Sequence, residues 1–280
     1  MKKFILILFP ISALAQTGSE ILLMDLKLSK NGMEISNPKN VTNHSGYDNQ
    51  PFFHIDEPIL YYSSFNEDGR SDIRSYNYKT GKTTNITTTQ EREYSPTLTP
   101  DKNYLSCIIQ RDNNAQDLGK YPLDGGEPVV LIDDLIVGYH AWLNESNLLL
   151  FVLGNPQTLQ AYHVPSKTGT IVATKIGRSL HAIPNSSSIS FVDKSDESSW
   201  IIRKYSNKDE ISEIAETLSG REDLAWTPDG RIVMSDGEKL FWYNKENTKW
   251  IPVKMDTPLK GATRLAISSD GKKLAVVVSE

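Results

Sequence analysis

The chain of 280 residues contains a single cysteine, Cys107, so no disulfide can form within it and the fold rests on packing and hydrogen bonding. It also lacks an excess of positive charge. Thirty Lys and Arg stand against 35 Asp and Glu, a net charge of −5, which disfavours partners bound through a nucleic-acid backbone or an anionic membrane surface. The apolar run from Phe4 to Leu14 is too short to span a bilayer. Several catalytic signatures are missing. There is no G-x-S-x-G elbow, since Asn43-His44-Ser45-Gly46 has neither the spacing nor the first glycine, and no phosphate-cradling G-x-x-x-x-G-K-[ST], dinucleotide G-x-G-x-x-G or H-E-x-x-H. With 38% hydrophobic and 23% charged residues the chain reads as a globular protein of one or two domains.

Residues 1–15 have the form of a cleaved secretory leader. Lys2 and Lys3 precede the apolar run, and Ala13-Leu14-Ala15 supplies the small-residue cleavage pattern. No cysteine follows it to carry a lipid, so the mature protein is expected to be exported, with no membrane span.

The rest of the chain repeats itself. Leu224-Ala225-Trp226-Thr227-Pro228-Asp229-Gly230 recurs as Leu265-Ala266-Ile267-Ser268-Ser269-Asp270-Gly271, and the same frame fits segments beginning at Pro51, Pro96, His140 and His181. Successive anchors are 41 to 45 residues apart. Within each unit a short strand with a small-then-large pair (Ala141-Trp142, Ala225-Trp226) leads to an Asp or Asn turn. A nearly continuous apolar strand follows, such as Leu148-Leu149-Leu150-Phe151-Val152, of the kind covered on both faces. Then come a more alternating strand and an outer one, such as Val129-Val130-Leu131-Ile132.

Four-stranded units of this length, six in number, predict an all-β, six-bladed β-propeller of antiparallel blades. The sixth unit stops after two strands, and residues 19–40 repeat the third- and fourth-strand pattern. The N-terminal segment is therefore predicted to complete the last blade and remove an exposed sheet edge, making residues 16–280 one domain.

The Thr-Pro-Asp-Gly/Lys hairpins and the Tyr94-Ser95-Pro96 lead-in resemble the repeats of TolB-like and WD-like propellers, over roughly residues 19–280. That resemblance implies an exported bacterial propeller, periplasmic or secreted, and brings no catalytic residues. The extra N-terminal domain of TolB has no counterpart in this chain, so its role in the Tol system does not carry over.

Superposing the repeats brings a polar set to one end of the central channel. His140 and His181 share the anchor position, and Tyr94, Tyr139, Arg178, Arg221, Glu222 and Asp223 lie near it in register, as do Asp48, Glu93 and Arg264. Imidazoles titrating near neutrality suit proton transfer or metal ligation, whereas channel mouths are also polar simply because inner strands have no further strand to cover them. Three readings therefore stay open for this ring: a ligand pocket, a metal or catalytic site, and a solvated rim. The absence of a complete catalytic signature favours a non-catalytic binder, a monomer that takes a partner protein, peptide or glycan at the channel mouth. The alternative is a hydrolase or lyase of envelope or extracellular polymers, with a divalent metal at His140 and His181. His54 and His163 are expected to be structural, Cys107 a buried inert thiol, Trp142 and Trp226 inter-blade core, and the segment from Asn66 to Asp72 a solvated loop.

Overall fold

The computed structural model describes residues 18–206 and 210–280; the predicted leader at 1–15 lies outside them. Chain order begins with β1 (Ser19–Ser29) and β2 (Gly32–Asn40). Blade 1 comprises β3 (Asp48–Phe53), β4 (Ile59–Phe65), β5 (Ser71–Asn77) and β6 (Lys82–Asn85), and blade 2 β7 (Arg92–Leu98), β8 (Tyr104–Gln110), β9 (Gln116–Pro122) and β10 (Val129–Ile132). Blade 3 is β11 (Val137–Trp142), β12 (Asn147–Val152), β13 (Thr158–His163) and β14 (Thr168–Thr174). Blade 4 is β15 (His181–Ala182), β16 (Ser188–Asp193), β17 (Ile201–Ser206) and β18 (Ile211–Glu216). Blade 5 is β19 (Leu224–Trp226), β20 (Ile232–Ser235), β21 (Leu240–Asn244) and β22 (Lys249–Pro252). The last two strands, β23 (Leu265–Ile267) and β24 (Lys273–Ser279), join β1 and β2 in the order β2-β1-β24-β23, which makes blade 6.

All six predicted anchors lie on the innermost strands β3, β7, β11, β15, β19 and β23. The closing blade is antiparallel as expected, with Ile21 opposite Val277 and Leu23 opposite Ala275. The hairpins after the inner strands of blades 2, 5 and 6 are closed by the short polar residues of the repeat. Thr99, Thr227 and Ser268 donate their hydroxyls to Asp101, Asp229 and Asp270 at 2.5, 2.5 and 2.7 Å, and the same carboxylates of Asp101 and Asp270 accept backbone N–H groups two residues on. This is why Thr-Pro-Asp and Ser-Ser-Asp recur: side-chain oxygens satisfy the turn backbone without help from the rest of the fold.

Pro51 and Pro96 have no N–H to give to the ladder, and the register slips at both places, between Asn49 and Phe52 and between Tyr94 and Thr97. Gln50 and Ser95, just before them, take left-handed backbone at φ 57° and 56°.

The core is not central but divided among the six interfaces between blades. Each strand sends alternate residues to opposite neighbours. Leu274, Val276 and Val278 of β24 pack with Val233, Leu240 and Trp242 of blade 5, while Ala275 and Val277 pack with Leu60, Tyr62 and Tyr76 of blade 1. Strand β1 divides the same way, with Met24 and Leu26 on one side and Ile21 and Leu23 on the other. The N-terminal strand thus contributes to two of the six interfaces. Ile21→Ala should cost about 2–5 kcal/mol in urea unfolding, as much as Leu149→Ala in blade 3, since both side chains are fully buried. A loss under about 0.5 kcal/mol at Ile21, with Leu149 costly, would contradict a structural closing strand.

Candidate functional site

The inner strands leave a chamber of about 370 Å3 along the ring axis. It runs from the hairpin end of the channel, at Ile55, Pro100 and Lys102, to a layer formed by Tyr139, Arg178, Asp223 and Arg264. A second chamber of about 310 Å3, bordered by Ser19, Tyr47 and Val277, lies beyond that layer. Tyr139, Arg178 and Arg264 line both, so they form a septum across the channel. Arg264 makes the crossing: from blade 6 it donates to Asn49 Oδ1 of blade 1 at 2.8 Å and to the Tyr139 hydroxyl of blade 3, on the opposite side of the ring, at 2.6 Å.

Both histidines border the larger chamber, as the repeat register predicts, but neither is poised to titrate near neutrality. His140 is only 5% exposed, and burial pushes its pKa down to about 3; burial pushes His181 down to about 4, against a smaller upward pull from Asp223. His140 Nε2 lies 2.7 Å from Ser106 Oγ of blade 2, and the same oxygen accepts the indole N–H of Trp142 at 2.9 Å and sits 3.0 Å from the Thr97 carbonyl. The arrangement recurs two blades on. Trp226 donates to Ser190 Oγ at 2.8 Å, and Ser190 donates to the His181 carbonyl at 3.3 Å. Trp142 and Trp226 therefore tie adjacent blades together through a serine of the preceding one, in keeping with their expected inter-blade role. His181 Nε2 is 2.9 Å from Ser179 Oγ.

Of the other predicted residues, Tyr139, Arg178 and Asp223 join the histidines on the chamber wall. Arg178 and Asp223 pair bidentately, Nη2 to Oδ2 at 2.8 Å and Nε to Oδ1 at 3.2 Å. Glu222 accepts the Arg178 backbone N–H at 3.0 Å. A Cβ on Gly177 would lie 2.4 Å from that carboxylate oxygen, so glycine keeps this approach open. Arg221 and Glu222 border a separate recess of about 160 Å3 and not the main chamber. Tyr94 borders none of these cavities: its ring meets that of Tyr47 edge-on at 6.4 Å.

Two carboxylates expected near the rim are interior. Asp48 is fully buried and takes His44 Nδ1 at 2.8 Å. Glu93 is also fully buried, at the interface of blades 1 and 2, where it accepts hydrogen bonds from Thr89 at 2.5 Å and the Tyr121 hydroxyl at 2.9 Å. Burial, with a contribution from the charge of Asp72, pushes Glu93 up to about 7. Asp72 itself is buried and bonded to Asn66, so the loop expected to be solvated is anchored at its end. His54 accepts two turn N–H groups through Nδ1, His163 bonds Ser166, and Cys107 is fully buried, all as expected.

Among the described residues, no three His, Cys, Asp or Glu side chains gather as a metal site. His140 and His181 each face a serine through Nε2, and His140 Nδ1 is buried without a hydrogen-bond partner.

No family model matches the chain, and no curated protein matches its sequence. Its fold is that of solved propellers. A protein of Agrobacterium tumefaciens described as a TolB superposes with a TM-score of 0.70 at 12% identity, covering 95% of this chain and 99% of that one. An oligogalacturonate lyase in complex with manganese gives 0.61 at 15%, over 89% and 83%. A chain of a nidogen/laminin complex gives 0.63 at 13%, over 93% and 98%. The chain is thus a six-bladed propeller of TolB-like shape. At these identities the likeness is one of fold.

Two consequences can be measured. Ser106→Ala strands the Trp142 N–H and His140 Nε2 together and should cost about 1–3 kcal/mol in urea unfolding, more than Ser190→Ala, which strands the Trp226 N–H but no imidazole nitrogen; equal or negligible losses would contradict the clamp. Glu93 binds its proton more tightly folded than unfolded, so stability should fall as pH rises from about 4.5, its ordinary value, to about 7. Glu93→Gln should flatten that segment of the stability-pH curve. A slope unchanged in the variant would place the titration elsewhere.

Proposed function

We propose that this is an exported, monomeric, non-catalytic propeller that binds a partner protein, peptide or glycan of the bacterial cell envelope by seating part of it in the central channel. The observation that carries the reading is the chamber of about 370 Å3, within the size range of ligand sites, on a rigid frame of inner strands. Tyr139, His140, Arg178, His181 and Asp223 are part of its polar lining, with Lys102 and Arg264 among the others. Glu222 contributes from outside it by holding Arg178, while Tyr94 and Arg221 stand away from its wall. The leader-like residues 1–15 support export, and no helix among the described residues is long and apolar enough to cross a membrane.

The second reading, a metal-assisted hydrolase or lyase, draws on the fold shared with the manganese-complexed oligogalacturonate lyase. The surroundings of the histidines speak against it, because among the described residues no third His, Cys, Asp or Glu gathers with them as a ligand set.

Ala182, exposed on the chamber wall, is the place to block the channel. Ala182→Trp should leave stability within about 0.5 kcal/mol and abolish capture of the partner that the wild-type protein retains from envelope extract. Capture unaffected by the plug would place binding on another surface. Elemental analysis of the wild-type protein and of the His140→Ala, His181→Ala double variant tests the alternative. Stoichiometric metal lost in the variant would overturn the non-catalytic reading.

A further inference from the structure

Three cations border the chamber, and two of them are neutralised by the protein. Lys102 pairs with Asp56 at 2.6 Å, and Arg178 pairs with Asp223 at 2.8 Å, with Glu222 at 3.7 Å. Arg264 is different. Among the described residues no carboxylate lies within 4.0 Å of it; its named partners are the neutral Asn49 amide and Tyr139 hydroxyl. The guanidinium has five N–H donors and stays protonated throughout the working pH range, so two hydrogen bonds leave both donors and charge unused.

The surroundings do not supply the missing anion. Asp223 is the one acidic residue of the chamber wall among the described residues, and Arg178 holds both its oxygens. The histidines are held neutral by burial. The Tyr139 hydroxyl, which accepts from Arg264, still has its own proton to donate. Its ring also lies beneath the guanidinium, 5.4 Å from centroid to carbon, so the cation is held in place at the chamber's end. The wall leading away from it is apolar, formed by Phe52, Leu98, Trp142, Leu180 and Leu265. A half-buried cation without a counter-ion is costly, and an incoming anion offsets that cost where solvent screening is weak.

We propose that the chamber takes a compact apolar group ending in a carboxylate, with the carboxylate on Arg264 and the Tyr139 hydroxyl and the apolar body against the wall towards the hairpin mouth. Either a free organic acid or the C-terminal residue of a peptide presents this chemistry. The inference rests on the reading of the channel as the binding site and adds the class of group that enters it.

The test uses matched pairs, read by calorimetric titration against the purified protein: 4-phenylbutyrate with 4-phenylbutanamide, and acetyl-Ala-Phe with its C-terminal amide. The acid of at least one pair should bind about tenfold or more tightly than its amide. Which pair binds separates a free acid from a peptide terminus. Arg264→Gln, checked for an unchanged thermal midpoint, should bring acid and amide to equal affinity, and Ala182→Trp should abolish both. Equal binding of acid and amide to the wild type, lost in Ala182→Trp, would overturn the carboxylate while leaving the channel as a site. Acid-selective binding that survives Arg264→Gln would also overturn it. Failure of all four probes to bind, with the plug variant still capturing the envelope partner, would overturn the channel reading itself.

Discussion

The structure depends on closure of the ring by strands from the two ends of the described chain. Every blade buries both faces of its sheet against its neighbours, and the apolar residues form six clusters, one per interface. A ring open at one seam would expose Ile21, Leu23, Ala275 and Val277 on one side or Met24, Leu26, Leu274 and Val276 on the other. Each fully buried aliphatic side chain is worth about 1.5–3 kcal/mol, so a missing interface would cost a large share of the 5–15 kcal/mol that holds a typical domain together. Closure also fixes the diameter of the channel, and through it the septum, because Arg264 reaches Tyr139 only if blades 3 and 6 stand opposite each other at the observed distance.

The channel combines two kinds of polar contact. Serine-to-indole bonds from Ser106 and Ser190 fix the spacing of adjacent blades. The bonds of Arg264 span the opening, and the bidentate Arg178 to Asp223 pair joins blade 5 to the segment that leads into blade 4. Burial holds the nearby imidazoles neutral, so the wall is a set of fixed donors and acceptors beside Arg264, which among the described residues has no carboxylate within 4.0 Å.

Most of the architecture is legible in the sequence because local chemistry repeats with it. The turn carboxylates Asp101, Asp229 and Asp270 are visible as part of a motif, and the apolar second strands need cover on both faces wherever they lie. The terminal blade is readable because Ile21 to Lys27 has the pattern that the sixth unit lacks. The site is less legible, because which way a side chain points depends on pleat parity and on residues in the next blade. Of the residues that share this register, His140, His181, Tyr139, Arg178 and Asp223 border the chamber, while Tyr94 lies against Tyr47 and Glu93 inside an interface. The serine-to-indole clamp does leave a trace in the sequence: Ser106 precedes Trp142 by 36 residues, and Ser190 precedes Trp226 by the same interval. What sets Arg264 apart is that no carboxylate among the described residues pairs with it, and no local pattern reveals that.

Native-state hydrogen exchange of the β1 amides that face β24, at Leu22 and Met24, tests closure most directly. If the N-terminal strand is an integral part of the last blade, these amides exchange only with global unfolding, at the same free energy as those of Leu149 and Phe191. Exchange of β1 and its partner β24 through a low-energy local opening, while blades 3 and 4 stay protected, would contradict the closed ring.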